Sequence, residues 1–143
     1  MLNDEVRTIM TKHPVVVSPD DIVSDVSEMM VSQKIQQLPV VEDGKLVGII
    51  TSYDLWRDLR ESDNSEDKLV RDVMNTNVAK IAPKDKVKTA AELFIDRRFK
   101  TLPVVNLRNE LKGVVTSFDV IRYVMKKDYP NPILYKDVIL GEF

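Results

Sequence analysis

The sequence contains no cysteine and a single histidine among its 143 residues. Without cysteine, the chain has no disulfide framework and no thiolate nucleophile. With His13 as its one histidine, the chain alone can assemble neither a cysteine and histidine zinc cluster nor a histidine-based catalytic triad. We therefore expect that the chain is not an enzyme and that it holds neither a metal ion nor a catalytic cofactor.

Long apolar runs are also missing. The longest, such as residues 15–17 and 47–50, fall far short of the roughly 20 residues that a membrane-spanning helix needs. The opening residues, MLNDEVRTIM, lack the basic start and the apolar middle of a signal peptide. A formal net charge of -2 and a pI near 5.5 argue against a surface built to follow nucleic-acid backbones. These features predict a cytoplasmic protein that does not enter a membrane.

What the chain does contain is an internal repeat. The letters LPVV stand at residues 38–41 and again, 64 positions later, at 102–105. The register then slips by one, so that GIITSYDL at 48–55 returns as GVVTSFDV at 113–120. The extra residue falls between two predicted strands, in EDGK versus NLRNE, where a hairpin loop can absorb it. The chain is therefore a duplication, with copies of about 60 residues.

Each copy predicts the order strand, helix, strand, strand, helix. In the first copy, residues 15–17 predict a brief strand, and Val23, Val26 and Met30 recur at helical spacing after it. The second copy repeats this apolar stripe with Val87, Ala90 and Phe94. A hairpin with Asp-Gly at its centre and a second helix starting near Ser52 follow. The expected boundaries are 1–62 for the first repeat, 63–69 for a linker, 70–127 for the second repeat and 128–143 for a C-terminal tail.

One copy has too small a core to be stably folded by itself. We therefore expect an α/β (α+β) fold in which the two repeats pack sheet to sheet about a pseudo-twofold axis. A cleft between the copies is then the expected place for function.

The element order, the LPVV strand and the junction G-h-h-T-S-x-D-h, in which h is apolar, resemble a tandem pair of CBS domains, the unit called a Bateman module. The resemblance covers about residues 6–126, and both copies carry the junction. It implies a regulatory module that binds an adenosine-type ligand between the copies: AMP, ADP, ATP, S-adenosylmethionine or methylthioadenosine. It also implies a homodimeric disk joined through the helices, with Leu55, Trp56 and Leu59, and Val120, Ile121 and Val124, at the contact.

The junction has two compatible interpretations. Thr51 followed three residues later by Asp54 matches a capping box, in which the two side chains satisfy free backbone donors at a helix start. The resemblance implies instead that the aspartate binds ribose hydroxyls and that the threonine lies beside it. Because the pair recurs as Thr116 and Asp119, we favour the ribose interpretation.

The resemblance also implies which residues surround each aspartate. The Asp119 site would use Val114, Thr116, Lys100 and Thr101 from its own copy, with Met10, Val15, Ile35, Gln36 and Gln37 opposite. The Asp54 site would use Ile49, Thr51 and Gln36 from its own copy, with Met74, Ala79, Phe99, Lys100 and Thr101 opposite. Ordinary core packing is the alternative for the apolar members of both sets.

Charge distinguishes the two expected pockets. Family members that bind phosphorylated nucleotides often place a basic residue two positions before the Leu-Pro pair, and that position holds Lys100 in the second copy but Gln36 in the first. Arg57 and Arg122 on the second helices are expected to add positive charge. Lys100 is therefore expected to favour phosphorylated ligands.

Two other functions remain open. In the first, the chain is a ligand-free interaction module whose exposed surface docks an unidentified regulated enzyme or transporter, and its sequence feature is the apolar tail DYPNPILYKDVILGEF at 128–143. The basic run RRFK at 97–100 suggests nucleic-acid binding, but the acidic total disfavours it.

Overall fold

The computed structural model describes residues 2–61, 68–97 and 99–128, and it confirms a mixed α/β fold made of two repeats. No helix within these residues is long and apolar enough to cross a membrane. The elements, in chain order, are a 3-10 turn at Val6–Thr8, β1 (Thr11–Lys12), α1 (Val23–Gln33), β2 (Gln37–Glu42), β3 (Lys45–Thr51), α2 (Ser52–Glu61), α3 (Val70–Val73), α4 (Val87–Arg97), β4 (Thr101–Val105), β5 (Leu111–Thr116) and α5 (Ser117–Asp128).

Both predicted hairpins form. In the first, β2 pairs antiparallel with β3, and Asp43 and Gly44 turn the chain with φ of 53° and 79°. Positive φ at both central residues is the geometry of the tight hairpin turn that Asp-Gly favours. In the second hairpin, the side-chain oxygen of Asn106 accepts hydrogen bonds at 2.9 Å from the N–H groups of Arg108 and Glu110. That longer loop absorbs the extra residue, as predicted.

The helical stripes are confirmed as well. Helix α1 buries Val23, Val26 and Met30, and α4 buries Val87 and Ala90. These residues join two separate cores, one in each repeat. Amphipathic helices packed on one face of a sheet thus account for both cores.

The strand predicted at residues 15–17 is wrong. Val15 and Val16 are exposed, and Val17 alone makes an isolated parallel bridge, to Val40. The strand lies earlier, at β1, where Thr11 and Lys12 pair with Val114 and Gly113 of the other repeat. Local apolar content suggested a strand, whereas Val17 alone of these three residues is buried in the core of its own repeat.

The two repeats exchange their first segments. Val6, from the first repeat, is fully buried in the core of the second, while Val70 is fully buried in the core of the first. The N–H of Val6 donates to the carbonyl of Asp85 at 2.7 Å, and that of Val70 donates to the carbonyl of Asp21 at 2.9 Å. We call the unit of residues 15–61 and 68–75 lobe 1, and the unit of residues 2–12, 79–97 and 99–128 lobe 2.

This exchange explains the repeated glycine. A Cβ atom on Gly113 would lie 2.5 Å from the carbonyl oxygen of Thr11, and one on Gly48 would lie 2.8 Å from the sulfur of Met74 and 3.0 Å from the carbonyl oxygen of Asn75. Each glycine therefore lets the exchanged segment of its lobe approach the sheet closely. The repeated letter serves the packing of the lobes rather than a turn.

Candidate functional site

The two Thr-Ser-x-Asp junctions both form capping boxes. At the start of α5, the N–H of Thr116 donates to Oδ2 of Asp119 at 2.9 Å, and the N–H of Asp119 donates to Oγ1 of Thr116 at 3.0 Å. At the start of α2, Thr51 and Asp54 make the same pair of bonds at 3.2 and 3.0 Å. The capping interpretation is thus confirmed in both lobes, and it fixes where each aspartate lies.

Capping occupies only one carboxylate oxygen of each aspartate. Oδ1 of Asp119 faces the guanidinium of Arg122 at 3.6 Å, and Oδ1 of Asp54 faces that of Arg57 at 3.4 Å. The aspartates are 8% and 9% exposed, whereas the arginine side chains are about half exposed and rest over aromatic rings of their own helices. Because each arginine is about half exposed and lies 3.4 to 3.6 Å from its carboxylate, solvent can replace it without burying a charge. Oδ1 can therefore accept hydrogen bonds from a ligand when the arginine moves aside.

A cavity of about 310 Å³ lies between the lobes, next to the Thr116 end of β5. Both repeats contribute to its walls. They are Thr11, Pro14, Val15, Ile35, Gln36, Gln37, Leu38, Pro39, Lys100, Thr101, Val114 and Thr116. The cleft thus brings together eight of the residues expected around Asp119, whereas Asp119 itself and Met10 do not line it. We call this cavity the cleft.

A second cavity, of about 400 Å³, lies on the other side of the same junction. Its lining residues are Thr8, Ile9, Asp119, Arg122, Tyr123, Lys126 and Lys127. Because Asp119 lines this cavity while its capping partner Thr116 lines the cleft, the two cavities flank one junction. The cations Arg122, Lys126 and Lys127 therefore line the same cavity as the aspartate. Of these three, the sequence analysis had identified Arg122.

The hydroxyl of Tyr123 donates a hydrogen bond to the carboxylate of Asp4 at the edge of this second cavity. This bond holds the pKa of Asp4 below its usual range and raises the pKa of Tyr123. Lys127 lies 3.5 Å from the same carboxylate. The first segment of the chain is thereby tied to α5, close to Asp119.

The expected apolar wall residues divide into two groups. Met10, Ala79 and Phe99 pack, partly buried, against the core of lobe 2, and Ile35 and Met74 pack against the core of lobe 1. The core alternative therefore holds for these five, although Ile35 also lines the cleft. Val15 is different, because it is 45% exposed and faces the cleft.

Near Asp54, two backbone contacts match those of the other junction. Ile49 and Asn75 exchange backbone hydrogen bonds at 2.9 and 2.8 Å, as an isolated bridge in the place that β1 takes in lobe 2. The carbonyl of Gln36 accepts the N–H of Ser52 at 2.9 Å. The carbonyl of Lys100 does the same for Ser117 at 3.2 Å. The two side chains at this position thus differ in charge on an equivalent backbone.

Some lining residues were missed from the sequence. Thr11 and Pro14 line the cleft, and Lys126 and Lys127 line the second cavity. Thr11 reaches its place only because β1 joins the sheet of the other repeat, a pairing that no local pattern reveals. Of the basic run at 97–100, Arg97 ends α4 and is exposed, and Arg98 lies outside the described residues.

Comparison with known proteins gives concordant results. The CBS domain family profile matches residues 6–55 and 70–126. Protein MJ1225 of Methanocaldococcus jannaschii is 31% identical over 132 residues, which are 85% of this chain and 47% of that protein. The chain thus spans about half the length of this curated relative.

Two solved structures share the fold. CBSX2 of Arabidopsis thaliana in complex with AMP matches with a TM-score of 0.77 at 30% identity, over 87% of this chain and 98% of that one. The CBS domain pair of protein MJ0100 in complex with 5'-methylthioadenosine and S-adenosyl-L-methionine matches with a TM-score of 0.72 at 28% identity, over 84% and 98% of the two chains.

Proposed function

Because the chain belongs to the CBS domain family as a tandem pair, we propose that it is a regulatory module that senses an adenosine-type ligand and has no catalytic activity of its own. The observation that carries this proposal is the cleft of about 310 Å³, which both repeats line and which reaches Thr116, the capping partner of Asp119. A CBS pair that contains AMP, and another that contains 5'-methylthioadenosine and S-adenosyl-L-methionine, support the ligand class.

The chemistry of the cleft fits the parts of such a ligand. Val15, Ile35 and Val114 supply apolar surface for a purine ring. We place the ribose beside Thr116, so that its two neighbouring hydroxyls would reach Oδ1 of Asp119, which lines the second cavity on the other side of the capping pair, once Arg122 has moved aside. Lys100, which also lines the cleft, would favour a ligand with a 5' phosphate through the charge of its ammonium group. The ligand could be AMP, ADP, ATP, S-adenosylmethionine or methylthioadenosine.

Signalling requires that the ligand change the arrangement of the lobes, which happens only if it binds one arrangement better than another. The hairpins join the lobes at one end: the N–H of Leu46 donates to the carbonyl of Asn109 at 3.0 Å, and Nδ2 of Asn109 donates to the carbonyl of Leu46 at 2.7 Å. The cleft lies at the other end of the same strands. Closing the cleft around a ligand therefore pivots the lobes about the hairpin contact.

Calorimetric titration of the full chain with AMP, ATP, S-adenosylmethionine and methylthioadenosine tests the proposal. We expect at least one of them to bind and to raise the Tm. Asp119→Asn should abolish binding in the cleft while retaining an oxygen for the capping bond, and Asp54→Asn is the matched variant in lobe 1. The absence of heat and of a thermal shift with all four ligands would overturn the proposal.

A second feature supports self-association. The outer faces of α2 and α5 expose large apolar side chains, with Trp56 at 53% and Phe118 at 56%. A groove of about 900 Å³ between α1 and α2 is lined in part by Val31, Trp56 and Leu59. We propose that a second copy covers these faces, giving the homodimer expected from the resemblance. Sedimentation of Trp56→Ala against the unmodified chain measures this.

The expectation that Leu55 and Val120 lie at the contact between two copies is wrong. Leu55 and Val120 are 8% exposed because they complete the cores of their own lobes. Their places on the outer surface are taken by Tyr53 and Phe118.

The exposed helix faces also support the alternative hypothesis of a ligand-free interaction module. Its partner would meet the exposed faces of α2 and α5, but the tail on which it depended lies outside the described residues beyond Asp128. The cytoplasmic location, the regulated protein and the domain boundaries stay predictions.

A further inference from the structure

A separate cavity of about 420 Å³ lies where the exchanged first segment meets the loop between β4 and β5. We call it the rim pocket. Its lining residues are Arg7, Met10, Lys12, His13, Pro83, Asn106 and Lys112. Three of these side chains are permanent cations, one is a histidine, and no carboxylate is among them. The positively charged side chains of such a lining repel one another unless an anion is present.

The rim pocket is distinct from the cleft. The two share no lining residue. Lys112 stands near the start of β5, whereas Thr116 ends the strand beside the cleft. At about 3.3 Å per residue, the two positions are roughly 13 Å apart along the strand. A ligand in the cleft therefore does not account for the cations at the rim.

Lobe 1 provides an internal comparison for this pocket. Lys12, His13, Asn106 and Lys112 stand where the other repeat has Thr76, Asn77, Glu42 and Val47. The counterpart of Arg7 is Arg71, which binds the carboxylate of Asp20 and lies 3.6 Å from that of Glu42. The lobe 2 counterpart of Asp20 is Lys84. Four of these five differences, all but the one between Asn77 and His13, make the lobe 2 side less negative or more positive, so the charge is not a requirement of the fold.

Nearby acids offset only part of this charge. Nε of Arg7 donates to Glu5 at 2.6 Å, which lowers the pKa of Glu5 and raises that of Arg7. Glu110 accepts a hydrogen bond from Asn106, which, with the nearby charge of Lys112, holds its pKa below the usual range. Among the described residues, neither Lys12 nor Lys112 forms an ion pair. Both ammonium groups thus remain available to a ligand.

We propose that the rim pocket binds a multiply charged phosphate anion, of the class of pyrophosphate and short polyphosphates. Charge-assisted hydrogen bonds from Arg7, Lys12 and Lys112 would hold the phosphate oxygens. No Phe, Tyr or Trp lines the pocket, and the apolar surface is limited to Met10 and Pro83, so recognition rests on charge and not on a base. This site is independent of adenosine binding in the cleft.

The test is calorimetric titration of the full chain with inorganic pyrophosphate and tripolyphosphate at low salt. We expect binding that weakens as salt rises. The double variant Lys12→Gln, Lys112→Gln should lose about tenfold or more in affinity, because two charge-assisted contacts disappear. The matched control, Lys34→Gln with Lys88→Gln, removes the same charge from exposed positions outside the pocket. It should bind as the unmodified chain does.

Four outcomes would overturn the proposal. The first is that neither anion binds at low salt, and the second is that both double variants weaken binding equally. The third is that the Lys12 and Lys112 variant loses adenosine-ligand binding along with phosphate binding. The fourth is that duplex DNA binds more tightly than tripolyphosphate through the same lysines. Rescue of affinity by Lys12→Arg with Lys112→Arg, at an unchanged Tm, would support it.

Discussion

Lobe 1 and lobe 2 share their geometry and differ in their charge. Both have a bulge at the same place in the hairpin, after Val40 and after Val104, and both have the capping box and the glycine under an exchanged segment. The charges at equivalent positions differ: Lys100, which lines the cleft, corresponds to Gln36, and Lys126, which lines the second cavity, corresponds to Glu61. The duplication has thus kept the positions that shape a site while its electrostatic character has diverged.

The contact between the second helix and the preceding segment shows the same divergence. In lobe 1, Nζ of Lys68 bonds Asp58 at 2.6 Å, and the other carboxylate oxygen of Asp58 is buried without a hydrogen-bond partner among the described residues. In lobe 2, the matching residues are Asp4 and Tyr123, joined by a hydrogen bond. One architectural contact is therefore made by an ion pair in one lobe and by a phenol and a carboxylate in the other.

The largest expected effect separates the two glycines. Gly113→Ala would place its Cβ against a backbone oxygen of β1, which cannot move without breaking the pairing with β5, whereas Gly48→Ala first meets the flexible sulfur of Met74. We expect Gly113→Ala to lower the free energy of unfolding by about 3 kcal/mol and Gly48→Ala by about 1 to 2 kcal/mol. Urea denaturation measures both. Equal losses would show that the exchanged segments fit the two lobes equally tightly.

The exchanged valines should behave alike. Val6→Ala and Val70→Ala each remove two buried methyl groups from a fully enclosed site, so each should cost about 2 kcal/mol of unfolding free energy. Both values come from the same denaturation experiment. If one variant were nearly neutral, the corresponding segment would not be completing its lobe.

Ligand selectivity sharpens the comparison further. Lys100→Ala should weaken AMP about tenfold, through loss of one charge-assisted contact, and leave methylthioadenosine almost unchanged. Gln36→Ala is the matched variant, because it alters the equivalent position without changing charge. Titration of each variant with both ligands provides the measurement. Equal weakening of the two ligands by Lys100→Ala would refute the role of its charge.

The smallest expected effect concerns Tyr123→Phe, which removes the hydrogen bond to Asp4. That bond lowers the pKa of Asp4, so its contribution to stability is present above the unfolded carboxyl pKa and disappears as the pH falls through the lowered folded value. Tyr123→Phe should therefore slightly lower the Tm at neutral pH and make no difference in strong acid. A Tm difference that persists in strong acid would assign the effect to packing.

Sequence periodicity predicted the elements but not which lobe they complete. The stripe of Val23, Val26 and Met30 and the Asp43-Gly44 turn depend on neighbours within a few residues, so local chemistry was sufficient. The burial of Val6 in lobe 2 depends on a pairing between distant segments. No local pattern carries that information.

The same limit applied to the candidate site. The capping boxes at Asp54 and Asp119 were readable because both partners lie within one helical turn. Thr11 could not be placed at the cleft, since its position follows from the crossover of β1. The outward faces of α2 and α5 were misassigned at Leu55 and Val120 because helical spacing alone does not say which apolar side is inside.

The exchanged segments bear on how such a protein can originate. A single repeat on its own would leave the groove for the other copy's segment empty and its own segment without a place to dock. Such a repeat would fold completely only as a dimer in which each copy docks its first segment in the other. The stability of that dimer would depend on protein concentration. Joining two such copies in one chain makes that dependence vanish, because each donor is then tethered to its acceptor.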